Sequence, residues 1–509
     1  MRVARRKQRT AHIGIFGVGF HKYWPQFDGL LDEMKRKLDV FVDKVQRNEV
    51  QATSFGIVDE AAAAYALLPR LKAADLDLVF CDMLTYATSA SFAALVRGLD
   101  VPVVLVALQP LPALDYANAS TYMQLCNDDF CAVPEFTGVA IRMGKRPPPV
   151  ILGTLGDDPV ADGQIRQWCD IAMVLHDLRR ARIGHFGHPI EHMLDMQTDQ
   201  AALTAAFGCH IVQTEAEELL RLERTVTPAE IEAKKEQILD LFDTPDPKSD
   251  PITEKLTDRD LTVAARAAVA LDKFVEAHDL DGLAYYYEGQ EGSPTRELVT
   301  NLIVGNSLLT AAGFPMCGES DLKTCIAMMI MDRLDIGGSF AEFHPIDFRE
   351  GFVLVGHDGP HHLNIAEGKP VLRSLAKYHG KPGSGASVEF KIREGPITML
   401  SIGVTGFPNA TSRVWWGSQP RTYAAGDPGP SAAGRFQFIL AEGQSVRGPI
   451  PPTGNTNTRG FFQPDVRTFL QRWVAQGPTH HFALGVGHHA RALQHIADIL
   501  GLESVLVTP

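Results

Sequence analysis

The sequence predicts an α/β protein whose C-terminal part is β-rich, and three observations carry that reading. Short apolar, β-branched runs alternate with amphipathic helical segments through the first two thirds of the chain. Such alternation builds parallel sheets covered by helices on both faces. Beyond about Asp335 the helical periodicity fades, Gly and Pro become dense and short β-like runs follow one another, the look of a sandwich or barrel. At 509 residues the chain needs more than one core.

In the first unit, His12–Phe16 reads as a strand. Phe27–Val45 reads as a helix with Leu30, Leu31, Met34, Leu38 and Phe41 along one side. Ala52–Val58 is strand-like, and Asp59–Leu71 is helical with an Asp at its start. Leu76–Met83 and Pro102–Leu108 are two more apolar strands, separated by the helical Ser89–Leu99. A long helical pattern over Ala161–Arg180 leads into a second unit of the same construction. There, strands are expected at Ala181–Phe186, Cys209–Val212 and Asp281–Tyr287. Helices are expected at Thr198–Phe207, Ala216–Leu222, Pro228–Phe242, Asp258–His278 and Thr295–Ala312, with Asp243–Pro251 a polar, proline-rich loop. The β-rich part carries runs at Phe352–Gly356, Ser387–Ile392, Ile397–Thr405 and Phe436–Glu442, then a helix at His488–Leu500 and an apolar Ser504–Val507.

Charge and composition exclude several classes of function. The formal net charge is −13, whereas a protein that grips phosphate backbone needs a basic face. The basic residues Arg2, Arg5, Arg6, Lys7 and Arg9 read as a frayed, solvated terminus. No apolar stretch follows them as a secretory signal would require, and no run reaches the ~18 apolar residues of a membrane span, so a cytoplasmic location is expected. Seven scattered cysteines with no CxxC pair read as free thiols rather than a disulfide framework or zinc site. The opening Ile13–Gly19 run (IGIFGVG) lacks the third glycine of a dinucleotide fingerprint. The polar-aromatic run His21–Trp24 lies instead at the end of the first strand, where open α/β sheets bind ligands.

Four later segments bear chemistry. Residues 317–324 (CGESDLKT) place Glu319, Asp321 and Lys323 between apolar helical stretches, where a carboxylate is costly unless paired or bound to metal. Residues 339–347 (SFAEFHPID) flank Glu342 with Phe340 and Phe343, with His344 and Asp347 nearby as competing ligands. A strand ends at His357, followed by His361 and His362. Residues 477–481 (GPTHH) end in His481, with His488 and His489 beyond. Two carboxylates and two imidazoles, each at the edge of an apolar run, suit Mn²⁺, Mg²⁺ or Co²⁺.

These segments resemble the L-arabinose isomerase family, within the L-fucose/L-arabinose isomerase fold. Residues 318–324 (GESDLKT) are similar to its GEGDWKT motif, and residues 339–342 (SFAE) to its SFMED segment. Residues 355–357 (VGH) are similar to its LGSH strand end, and residues 477–481 to its GGPHH motif. Residues 182–187 (RIGHFG) with Thr198-Asp199, and the pair Tyr287-Glu288, resemble further stretches of that family. The matches run in order from residue 182 to 481, while the first 150 residues match only in layout and in His21 and Tyr23.

The resemblance implies two Rossmann-like or flavodoxin-like α/β domains, residues 1–175 and 176–325, and a C-terminal β-barrel domain with a terminal helix, residues 326–509. It implies metal ligation, by Mn²⁺ in the first instance, at Glu319, Glu342, His357 and His481, with the two glutamates also catalytic. Asp321 and Lys323 are expected to orient the ligands. His21, Tyr23, Asn127, Met193 and Tyr287 are expected sugar contacts. It further implies a homo-oligomer, trimer or hexamer, whose sites are completed by a neighbouring subunit. The expected reaction is aldose–ketose isomerisation through a cis-enediol, L-arabinose to L-ribulose or a relative such as D-galactose to D-tagatose. Competing readings are an isomerase or epimerase for another sugar, such as L-fucose or a furanose form, and a non-catalytic sugar-binding protein. The family's Q-x-x-H segment is replaced by residues 125–136 (LCNDDFCAVPEF), its motif Trp by Leu322 and the Asp after its second Glu by Phe343. The metal core is retained while the sugar-reading shell differs.

Overall fold

A computed structural model describes residues 3–245, 253–375, 377–378, 381–382, 385–404, 436–451 and 456–509. Arg2, residues 246–251 of the proline-rich loop and Thr405 lie outside the described residues. The chain divides into two compact units, one formed by Arg9–Asp177 and the other by Met1–Gln8 with Leu178–Pro509.

The Arg9–Asp177 unit is built on a five-stranded parallel sheet. Its strands are His12–Val18, Gln51–Val58, Leu78–Met83, Val103–Gln109 and Val150–Thr154, in the spatial order second, first, third, fourth, fifth. This is the flavodoxin-like order, with its switch point between the first and third strands. The strands Leu78–Met83 and Val103–Gln109 are almost wholly buried, which is why they read as unbroken apolar runs. Gly14 and Gly17 serve packing: a Cβ on either would run into Leu76 or Leu84. The fifth strand and the helices Thr121–Cys126 and Val133–Arg142 went unread in the sequence.

The second unit contains a four-stranded parallel sheet, in the order Met316–Cys317, Gly282–Tyr285, Arg182–Phe186, His210–Thr214. Reciprocal Thr–acid capping boxes start its helices Pro228–Leu241 and Asp258–Ala277. The single helix expected over Thr295–Ala312 is two, Pro294–Val299 and Ile303–Ala311. The break follows from side chains that compete with the backbone. Thr300 Oγ1 donates to Arg296 O at 2.8 Å and Asn301 Nδ2 to Glu297 O at 2.6 Å.

The same unit holds a closed six-stranded antiparallel barrel. Its strands follow one another around the ring as Gly395–Val404, Phe482–Val486, Gly337–Asp347, Phe352–Gly356, Thr458–Phe461 and Phe436–Val446, which pairs back onto the first. Glu503–Leu506 adds in parallel beside Phe436–Val446. Helix Leu322–Arg333, buried along its whole length, packs against barrel strands and against Gly282–Tyr285. Gly338, at φ 101°, permits the close approach, since a Cβ there would sit 2.7 Å from Met328 O.

The N-terminal basic residues are docked, which corrects the expectation of a frayed end. Arg6 N donates to Ala312 O at 2.8 Å, and Lys7 pairs with Asp281 at 2.7 Å. Arg5 pairs with Asp332, which also meets Arg333 and lies 3.3 Å from His362 Nε2. Asp332 is 3% exposed, and a carboxylate at that depth needs counter-charges. Burial alone would raise its pKa, but His362, Arg333 and Arg5 outweigh burial and hold the pKa below the ordinary carboxylate value. All seven cysteines are free. No helix among the described residues is long and apolar enough to cross a membrane.

Because the folded pKa of Asp332 is depressed, its stabilisation is present above the unfolded carboxylate pKa near ~4 and is lost as pH falls below it. Asp332→Asn should therefore destabilise the protein by about 3–5 kcal/mol at neutral pH. In guanidinium unfolding, the gap between variant and parent should narrow at acid pH. A gap independent of pH would contradict the assignment.

Candidate functional site

The site begins where the second sheet hands over to the buried helix. Strand Met316–Cys317 runs into Gly318, then Glu319 and Ser320 at φ 59° and 57°, then Asp321 at the N-cap of Leu322–Arg333. Two successive left-handed non-glycine residues carry strain of roughly 1–3 kcal/mol each. The surrounding structure holds them there: Ser320 N donates to Tyr285 O at 3.0 Å and its hydroxyl to Phe186 O at 3.4 Å. The turn thus sits at the carboxyl ends of two parallel strands and aims Glu319 outward from them.

Asp321 is fully buried and does two jobs. It caps the helix by accepting from Thr324 N at 3.1 Å and Thr324 Oγ1 at 2.8 Å. Its Oδ2 also lies 3.4 Å from His481 Nδ1. His357, just past the end of strand Phe352–Gly356, has its Nδ1 2.8 Å from Asp358 O. Both imidazoles are therefore engaged at Nδ1, which leaves each Nε2 to face Glu319. Glu319 Oε1 is 3.9 Å from His357 Nε2, and Glu319 Oε2 is 3.2 Å from His481 Nε2. Glu319 Oε2 and His481 Nε2 are both buried, and neither is aligned for a hydrogen bond. The Phe340 ring packs on His357 and His481 at centroid distances of 4.2 and 4.3 Å, fixing both rings.

Glu342 lies two positions after Phe340 on strand Gly337–Asp347 and so shares its face. Its Oε2 meets His480 Nε2 at 2.5 Å and its Oε1 lies 3.6 Å from His344 Nε2. Phe343 points the other way and packs among Phe469, Trp473 and Phe482 in the barrel core. An acid at position 343 would face these aromatic rings in a partly buried position, which accounts for the phenylalanine. Ligand atoms of Glu319, His357 and His481 lie within 4.8 Å of one another, as do those of Glu342, His480 and His481. The two trios share His481, so one pocket collects Glu319, Glu342, His357, His480 and His481.

Charge in the pocket is polarised. Burial opposes ionisation of Glu319, but His481 and His357 outweigh it and lower its pKa. Glu342 likewise falls to about 2 against burial, held down by His480 and His357. Burial disfavours charge on His481, yet Asp321 and Glu319 push its pKa up to about 9. His357 is lowered, by burial first and then by the His481 charge. Burial drives the Cys317 thiol well above its ordinary value, its Sγ donates to Gly318 O at 3.4 Å, and it belongs to neither group of clustered ligand atoms. The donors that remain are carboxylate oxygens and imidazole nitrogens, with two orphaned buried atoms between them. That set fits a hard-to-borderline divalent ion.

Lys323 is fully buried and donates to Asp195 O at 2.8 Å, with Asp321 Oδ1 at 3.6 Å. Tyr287 is half-buried and feels the Glu319 charge; burial first, then Glu319, raises its pKa. Met193 precedes the short turn Leu194–Met196. His21, Tyr23 and Asn127 belong to the other compact unit. There His21 Nδ1 lies 3.2 Å from Asp59 O, Tyr23 packs on Phe20, Phe27 and Tyr86, and Asn127 bonds Leu111 N and Met123 O. Asp347, His362 and His488 have different work. Asp347 accepts from Arg349 N and Glu350 N, His362 meets Asp332, and His488 Nε2 lies 3.1 Å from Gly443 O. His480 escaped the sequence reading although it adjoins His481, and Asp195 carried no signal at all.

No family model matches the chain. The L-arabinose isomerase of a Nocardioides species is 23% identical over 501 residues, covering 96% of this chain and 91% of that protein. The L-arabinose isomerase of Bacillus subtilis is 22% identical, covering 69% of this chain and 65% of that one. That of Herpetosiphon aurantiacus is 22% identical, covering 83% and 78%. The chain is thus distantly similar, over most of its length, to L-arabinose isomerases. As an L-arabinose isomerase relative it belongs with isomerases, and its pocket offers a group of residues able to hold a metal ion.

Asp321→Asn would keep the helix cap and remove the charge behind His481. It should weaken Mn²⁺ binding by about 10–100-fold and, by leaving the buried Lys323 without its counter-charge, destabilise the metal-free protein by about 3–5 kcal/mol. Titration calorimetry with Mn²⁺ checks this, and an unaltered affinity would show that Asp321 serves the helix alone.

Proposed function

We propose that the chain is a divalent-metal-dependent aldose–ketose isomerase working through a cis-enediol, with Glu319, Glu342, His357 and His481 as its metal ligands. The observation that carries this reading is that two trios of potential ligands, Glu319–His357–His481 and Glu342–His480–His481, share His481. Mn²⁺ is the first candidate, with Mg²⁺ and Co²⁺ suited to the same donors.

The reaction moves one proton between C1 and C2 of the sugar and another between O1 and O2. The metal, when bound, supplies Lewis acidity that polarises the carbonyl. The remaining work falls to side chains. Glu319 and Glu342 are both held ionised, so each can accept a proton in the pocket. One takes the proton from carbon and returns it to the neighbouring carbon; the other serves the hydroxyl oxygens. His480 holds Glu342 Oε2, and Phe340 fixes the rings of His357 and His481 and keeps water from that side. Tyr287, kept protonated beside Glu319, can donate to a sugar hydroxyl. Met193 is a further proposed sugar contact from this unit; His21, Tyr23 and Asn127, in the other compact unit, are proposed as sugar contacts on the family resemblance alone.

The exchanged residues at 125–136 favour an aldose other than L-arabinose, within a homo-oligomer, trimer or hexamer, whose neighbouring subunit completes each site. A non-catalytic sugar binder would have no use for two ionised carboxylates facing one pocket. The test is a panel of aldoses, including L-arabinose, D-galactose and L-fucose, with Mn²⁺ supplied or chelated. Ketose should form on at least one sugar and cease on chelation. Glu319→Gln and Glu342→Gln should each lose activity by on the order of 10²-fold or more. Full activity in either variant would remove its assigned role, and absence of turnover across the panel would remove the isomerase reading.

A further inference from the structure

One residue outside the pocket ties its two halves together, through its side chain on one side and its backbone carbonyl on the other. Asp195 lies in the exposed turn Leu194–Met196, two residues from Met193. Its Oδ2 accepts from the backbone N–H of His480 at 2.8 Å. Its carbonyl accepts from the buried Nζ of Lys323 at 2.8 Å, on the helix that carries Asp321. One residue is therefore bonded to the segment bearing His480 and His481 and to the segment bearing Glu319 and Asp321.

The bond to His480 matters because of where that side chain sits. The imidazole is 49% exposed, and its Nε2 contacts Glu342 Oε2 at 2.5 Å. A half-exposed ring that packing does not confine holds one rotamer only if its backbone is held. Neighbouring His481 is fully buried and secured by Asp321 and Phe340. His480 has only an edge contact with the His481 ring at 4.8 Å between centroids, and the charge-assisted bond from its N–H to Asp195 supplies the anchor.

Resting on the isomerase reading above, we propose that Asp195 is a positioning residue. It fixes the His480 imidazole on Glu342, orients that carboxylate for proton transfer and couples it to the turn that presents Met193. Glu319, His357 and His481 are secured by other contacts, so metal binding depends on it only through the orientation of Glu342.

The test compares Asp195→Ala with Asp195→Asn, whose amide oxygen can still accept from His480 N–H. In the Ala variant kcat on the best aldose should fall about 10-fold or more, with KM within about 3-fold. Mn²⁺ affinity by calorimetry should fall by no more than about 3-fold, and the thermal midpoint should stay at the parental value. The Asn variant should recover most of the loss, and a crystal structure of the Ala variant should show His480 turned away from Glu342. Parental kcat in the Ala variant, an equal loss in Ala and Asn, or a parallel drop in Mn²⁺ affinity would overturn the proposal. So would a His480 that stays on Glu342 in the Ala structure. Should the parent convert no aldose, the isomerase reading fails by itself, and the crystal structure still decides whether Asp195 positions His480.

Discussion

A carboxylate with no access to water, Asp321, is the fixed point of this molecule. Its charge is tolerable at that depth because Thr324 donates to it twice and because Lys323 and His481 stand beside it. Each partner belongs to a different requirement. Thr324 starts the buried helix, Lys323 reaches the turn at Asp195, and His481 belongs to the loop that enters barrel strand Phe482–Val486. The helix cap, the placement of the barrel on the helix and the tautomer of His481 are thus one electrostatic arrangement. The strained pair Glu319–Ser320 persists because this arrangement, with Ser320 bonded to Tyr285 and Phe186, over-determines the turn.

The division of labour across the second unit follows. The parallel sheet and helix supply Glu319 and Asp321 from an α/β turn, while the barrel supplies Glu342, His357 and His481 from strands and strand ends. Rigid elements hold the pocket on both sides, with a single exposed turn between them. Barrel closure sets the Glu342 side, because Gly337–Asp347 is paired to both Phe352–Gly356 and Phe482–Val486. The first leads into His357 and the second follows His481, so the register brings the imidazoles next to the strand that carries Phe340 and Glu342.

Much of this was legible in the sequence, for local reasons. Parallel strands buried on both faces announce themselves as apolar runs, and Phe352–Gly356 was read to the residue. Other features depend on distant partners. The strand Val150–Thr154 is a sheet edge, only partly buried, and its pattern is faint. Phe482–Val486 is short, ends beside Gly487 and earns its place through pairing with Gly395–Val404 and Gly337–Asp347. The docking of Arg5 could not be foreseen, because its reason is Asp332, more than three hundred residues on. In the pocket, the acids and imidazoles stood out by their apolar flanks. The hydrogen bonds that orient them come from residues such as Asp358 and Asp195, which are ordinary in sequence.

The central claim is that Glu319, Glu342, His357 and His481 converge on one divalent ion. Anomalous diffraction at the manganese edge, from crystals grown with Mn²⁺ and a bound polyol, addresses it most directly. The account predicts a single strong peak within about 2–2.5 Å of a carboxylate oxygen from each glutamate and of Nε2 from each histidine, with polyol hydroxyls on its open side. A peak elsewhere, or one that leaves either glutamate uncoordinated, would contradict it.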